Sequence, residues 1–252
     1  MADKYFAGVQ GKVFIAPRDA NGVTGGFEYI GDTRGLSITG SQNFLDYRES
    51  YSGNMARVVH VPVSTDLGFS MEMMNIDGKN LARAFYGAEA AGTGASVSSE
   101  AINAYAGKMV PLKYPGVSSV VVTKTSGATT LVAGTDYVVD AANGTLTFLA
   151  TSTAVTGTSA VPCTVSYTYA AYSTKVQGLV DTIKDYKIRA ELKDLVSGKS
   201  IIVEMHRANM NLAAQLALIS QDMGSLAVEG SLLPAAEVVT VGESQYFSVL
   251  EV

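Results

Sequence analysis

Tryptophan is absent from this sequence and cysteine occurs once, at Cys163. A lone cysteine excludes an internal disulfide framework and a multi-cysteine zinc site within one chain. It sits in the alternating run VPCTVSYTY, where it reads as a small buried hydrophobe. Histidine occurs only at His60 and His206, in separate strand-like segments with no second ligand type at metal spacing. Charge is scarce too: Asp, Glu, Lys and Arg make up 16% of the 252 residues, 23 acids against 18 bases, for a formal charge of −5. That balance gives no bulk attraction to nucleic acid. No stretch approaches the ~18–20 apolar residues of a membrane helix. The opening MADKYFAGVQGK lacks the apolar core of a secretion signal, so the reading is a soluble product with no membrane partner.

Catalytic signatures are missing as well. No G-x-S-x-G elbow, H-E-x-x-H, Walker loop or G-x-G-x-x-G occurs. DANGVTGGFEYI matches a calcium loop at Asp19 and Asn21, but Thr24 replaces the required glycine and Ile30 the bidentate acid. The expectation is a protein that is not an enzyme and holds no metal or cofactor.

What the chain does have is glycine, 25 of them, and β-branched residues in short alternating runs. LGFSMEMM places Leu67, Phe69, Met71 and Met73 on one face, with Gly68, Ser70 and Glu72 on the other. DYKIRAEL repeats the pattern, Tyr186, Ile188, Ala190 and Leu192 against Lys187, Arg189 and Glu191. Period two marks half-buried strands, and 185–206 reads as a hairpin turning at Gly198. KVFIAP and Phe27–Ile30 read as short strands. One helix stands out in NIDGKNLARAFYG: Asp77 as N-cap, Leu81 and Phe85 four apart as its core face, Gly87 as its stop. Leu212, Leu216 and Ile219 share helical spacing, but an extended reading is open there.

From residue 92 to 174 the character changes to short strands separated by Gly, Ser and Thr, opened by the linker-like GTGASVSS. Asn143-Gly144 suits a type I′ hairpin turn within it. Such a run suggests a small β-sandwich inserted into, or laid over, the main domain. The stretch DYRESYSGNMARVVHV poses a separate question. Between strand-like flanks it holds a polar loop, Asp46–Arg57, too long for a tight turn and too polar for a core. Long loops of this kind are functional or disordered.

The order GFEYIGDTRGLSIT, then ESYSGNMARVVHVPVSTDLGFSMEMMNIDGKNLARAFYG, then LISQDMGSLAVEGSLLPA resembles the major tail tube proteins of tailed bacteriophages, over roughly 27–90 and 175–235. The resemblance implies a mainly β fold: a β-sandwich or half-barrel with one flanking α-helix, formed by 1–91 and 175–252, plus an inserted Ig-like module at 92–174. It implies hexameric rings stacked into a tube inside the virion, assembled in the host cytoplasm, through which DNA is ejected without specific binding. Other tail proteins (terminator, tape measure, baseplate or sheath) would be partners. Arg48, Glu49, Tyr51, Asn54 and Arg57 would then form a ring-stacking loop, and Glu72 and Glu204 would face the lumen and repel phosphate. A capsid decoration protein, a tail terminator or a β-sandwich adhesin that forms no polymer is the alternative.

Overall fold

The computed structural model describes residues 8–217 and 223–252. It divides into two compact units, Met1–Glu89 with Val176–Val252, and Ala90–Lys175. Along the chain, β1 (Val9–Arg18), β2 (Glu28–Tyr29), β3 (Thr33–Arg48) and β4 (Arg57–Met73) precede the helix α1 (Gly78–Ala84). Then come β5 (Ala88–Gly92), β6 (Ala95–Ala104), β7 (Met109–Pro111), β8 (Val117–Lys124), β9 (Tyr137–Asp140), β10 (Thr145–Phe148), β11 (Val161–Tyr169) and β12 (Tyr172–Gln177). The chain ends with β13 (Asp185–Asp194), β14 (Ser200–Met210), β15 (Leu226–Leu232) and β16 (Phe247–Glu251). The protein is mainly β and sandwich-like, and α1 is the only α-helix among the described residues.

The first unit is one antiparallel sheet in the order β2-β1-β13-β14-β15-β4-β3, with β16 beside β14. Alternation decides which side of each strand is buried. Phe69, Met71 and Met73 of β4 point inward with Tyr186, Ile188 and Ala190 of β13, and with Leu226, Val228 and Leu232 of β15. Val13 and Ile15 of β1 join the same core, so the inward faces of strands far apart in the sheet order meet around one apolar cluster. Each such side chain stabilises the fold by about 1.5–3 kcal/mol when fully buried. Gly198 turns β13 into β14 at φ +72°, a conformation glycine adopts without a Cβ clash.

The helix differs from its sequence reading in register. Asp77 is the N-cap, its side chain accepting from the Asn80 N–H at 2.8 Å. The residues buried against the sheet are Asn80 and Ala84, not Leu81 and Phe85. Phe85 packs at the margin of the core and Leu81 lines a cleft outside it. A polar Asn80 is tolerated inside because its amide donates to the carbonyls of Ile30 and Asn75, both at 2.9 Å, and accepts from Arg83. The stop also shifts: Tyr86, at φ +48°, takes the left-handed position, and the Gly87 N–H closes on the Ala82 carbonyl at 2.7 Å. Residues 211–217 form no helix or strand, and Ile219 lies outside the described residues.

The second unit has two three-stranded sheets, β7-β10-β9 and β6-β11-β8, around a core that includes Val122, Tyr137, Leu146, Phe148, Cys163 and Val165. Its β9–β10 connection is not the two-residue turn expected from Asn143-Gly144. Four residues, 141–144, link the strands, and of the two only Gly144 has positive φ. Asp140 accepts from both the backbone and side-chain amides of Asn143, which keeps that residue out of the left-handed region a type I′ turn would need.

Candidate functional site

β3 and β4 outrun the strands beside them. β15 flanks β4 only over Leu67–Met73, so beyond the Ser41–Asp66 pair the two strands have no further strand neighbour among the described residues. Ser41–Arg48, at roughly 3.3 Å per residue, make a two-stranded arm on the order of 26 Å long. The sequence-predicted loop of 46–57 is therefore shorter than expected. Asp46, Tyr47 and Arg48 belong to β3, Arg57 begins β4, and only 49–56 form the tip.

A ribbon with no third strand is marginal, and its cross-strand pairs hold its register. At the base Gln42 Nε2 donates to Thr65 Oγ1 at 3.2 Å, and Asn43 Nδ2 to Ser64 Oγ at 3.0 Å. Further out the two faces diverge chemically. On one, the Phe44 and His60 rings stack with centroids 4.2 Å apart. Asp46 bonds His60 Nδ1 at 2.5 Å and pairs with Arg57 at 3.5 Å. The His60 hydrogen bond, then the Arg57 charge, outweigh desolvation and hold the Asp46 carboxyl below its ordinary value. On the other face, Leu45 stands opposite Val61 and Tyr47 opposite Val59. These four are 61%, 50%, 60% and 37% exposed, an uncharged apolar stripe in open solvent.

The tip is built from its own polar groups. Glu49 N–H donates to the Ala56 carbonyl at 2.9 Å, and the Glu49 carboxylate accepts from the Ser52 backbone and hydroxyl. Those bonds, the Ser52 hydroxyl first, outweigh desolvation and lower the Glu49 pKa. Arg48 donates to the Met55 carbonyl at 3.1 Å. Tyr51 is left almost fully exposed, and Asn54 bonds only locally, its N–H donating to Ser52 Oγ. The structure thus gathers Arg48, Glu49, Tyr51, Asn54 and Arg57 at one end of the arm, with Arg48 and Glu49 spent on holding the tip together.

Glu72 and Glu204 are not brought together. Both lie on the side of the sheet away from the core, but β15 separates their strands in the sheet order. Glu72 sits across from Arg34 of β3. Glu204 takes Lys187 at 3.1 Å and Arg189 at 2.5 Å, and Arg189 also reaches Glu191. Burial works to raise the Glu204 pKa, but the hydrogen bonds and charges of Lys187 and Arg189 outweigh it and lower the value. Lys187 and Arg189 of β13 are thereby compensated by Glu204 and Glu191. Sequence reasoning missed the stripe of Leu45, Tyr47, Val59 and Val61, although its period-two signal stands in FLDYR and RVVHV.

Among the described residues no group of three or more His, Cys, Asp or Glu is placed to hold a metal ion. No helix there is long and apolar enough to cross a membrane. The chain belongs to the family described as "Protein of unknown function UCP028589", whose model matches residues 5–250. No curated protein matches it.

Proposed function

We propose that this chain is a structural virion protein whose copies close six-membered rings, and that the rings stack into the tube of a bacteriophage tail. The tube conducts DNA at ejection, and its other contacts are with tail proteins at its ends or around it. The observation that carries this reading is the β3–β4 arm. It extends past the sheet, exposes apolar and aromatic side chains, and contributes nothing to the core, which is the pattern of a segment whose partner is another chain.

Two further features support it. The outer side of β3 pairs with no strand among the described residues, so the sheet has an open edge there, while that of β1 pairs with β2 at Phe14 and Ile15 and bridges Thr24 at Arg18, which leaves its first residues without a strand partner on that side. Open edges invite pairing between copies, and a closed ring satisfies them without further aggregation. Head-to-tail stacking has no closure and grows a filament. In addition, Glu204 and Glu191 together compensate Lys187 and Arg189 of β13, which leaves that pair little to offer DNA by counterion release.

The test is to replace Glu49–Ala56 with an Asn-Gly turn. The circular dichroism spectrum of the subunit should be unchanged while tubes no longer form. Tubes of normal length from this variant would remove the arm from the assembly.

A further inference from the structure

In the second unit, the edge strand β6 carries a bulge against β11. Val165 pairs with Glu100 and Tyr167 with Val97, so Ser98 and Ser99 together oppose the single residue Ser166. Such a bulge bends the strand and re-aims its side chains. Glu100 follows directly and is held at both carboxylate oxygens. One accepts from the Lys113 N–H at 3.0 Å, the other from the hydroxyl of buried Tyr167. Each oxygen keeps a further lone pair for a donor from outside.

The bulge, the Lys113–Tyr114 segment ahead of β8 and the end of β11 line one groove of about 410 Å³. Tyr114 and Tyr169 stack there with ring centroids 4.0 Å apart and planes 5° from parallel. Lys113 Nζ lies over the Tyr114 ring, 5.4 Å from its centroid. Both rings are half-buried, and Ser98, Ser99 and Lys113 are exposed. The groove thus combines a fixed aromatic stack with hydroxyls, an anchored carboxylate and an ammonium.

We propose that this groove is a binding site for uncharged saccharides. A pyranose ring has a C–H face that packs on the electron-rich face of an aromatic ring. Its rim of hydroxyls both donates and accepts hydrogen bonds. The tyrosine stack matches the first, and Ser98, Ser99, Glu100 and Lys113 match the second. Because the stack and the carboxylate are already held in place, binding orders few side chains. The groove volume admits roughly one or two sugar rings.

Other ligand classes fit less well. Residues 90–175 carry Glu100, Asp136 and Asp140 against Lys108, Lys113, Lys124 and Lys175. So even a balance gathers no polyanion such as nucleic acid, and Glu100 opposes a phosphate placed beside Lys113. An extended peptide would add to the outer edge of β6, but the bulge breaks the regular row of backbone groups that strand addition uses. A purely apolar ligand would strip water from Glu100 and Lys113 and replace none of its hydrogen bonds. The site lies within one chain, so it does not depend on the self-assembly reading. Copies joined in an assembly would multiply a weak single contact.

The test is saturation-transfer NMR on the full chain with maltose, cellobiose, lactose and N,N′-diacetylchitobiose. Transfer to at least one of these is expected, strongest on the protons of a single ring face. Tyr114→Ala removes one ring of the stack, and Ser98→Leu fills the groove from an exposed position. Each should weaken the dissociation constant at least tenfold in titrations of the transfer, with far-UV circular dichroism checking the fold. Tyr114 packs at the margin of the core, so Ser98→Leu decides the matter if Tyr114→Ala unfolds the unit. No transfer to any of the four sugars overturns the proposal. Transfer undiminished in Ser98→Leu places the sugar elsewhere and overturns it as well. So does binding of a tetra-alanine peptide or a deoxythymidine oligonucleotide in this groove with none of the sugars.

Discussion

At the scale of single residues, the fold depends on polar groups that are satisfied where apolar ones would be expected. Asn80 is the clearest: its two donors meet the Ile30 and Asn75 carbonyls inside the core. Asn80→Ala strands those carbonyls, and the expected loss is about 1–3 kcal/mol in urea unfolding. Leu81→Ala should cost well under the ~2–5 kcal/mol of a core leucine truncation, because Leu81 lines a surface cleft. A larger loss for Leu81 than for Asn80 would restore the sequence-based register of the helix. Titration adds a second expectation. Desolvation, then the Lys187 charge, lowers the His206 pKa beneath its ordinary 6.5, while Glu204, Glu237 and Glu243 oppose this. A group depressed on folding stabilises the protein above its unfolded value and withdraws that contribution as pH falls. Stability should therefore begin to drop as pH passes below 6.5. It should drop further below 4.5, where these glutamates in the unfolded chain take up protons that folded Glu28, held down chiefly by hydrogen bonds from Lys79 and Arg83, and folded Glu204 take up only at lower pH. His206→Gln should flatten the first part of a thermal-midpoint curve against pH and leave the second.

At the scale of elements, the strands were legible because one face of each is buried. Met71 and Ile188 sit inside with their alternation intact, and the 185–206 hairpin turns at Gly198 as its sequence indicates. The helix existed where Asp77 announced it, but its buried face was not legible. Apolar spacing selected Leu81 and Phe85, whereas the carbonyls available at Ile30 and Asn75 select Asn80. The arm was half legible. Its polar tip reads as a loop, but the alternation of Leu45 and Tyr47, or of Val59 and Val61, looks the same whether a core or a partner covers it. Sequence carries the period and not the occupant. Because the arm lends nothing to the core, replacing Glu49–Ala56 with Asn-Gly should also leave the thermal midpoint of the subunit within error. A lowered midpoint would mean that the tip stabilises the subunit itself.

At the scale of the whole molecule, two separate cores mean two separable units. The core around Val122, Leu146, Phe148 and Val165 contains no residue of the first unit. Residues 90–175 expressed alone should show a cooperative thermal transition. Replacing Thr93–Ala171 with a short Gly/Ser linker should leave the remaining unit folded and, if the insertion lies outside the tube wall, still able to stack. The charge pattern makes its own demand on the assembly. With Lys187 and Arg189 both held by Glu204, assembled protein should bind duplex DNA weakly and with little dependence on salt. Tight, salt-sensitive binding would place an uncompensated basic surface in the conduit.

Electron microscopy of the purified, concentrated wild-type protein in negative stain is the most direct test of the central claim. The account expects rings with six-fold symmetry and a central opening, together with tubes made of those rings at a regular repeat. A field of monomers or small closed oligomers, unchanged as concentration rises, would contradict it.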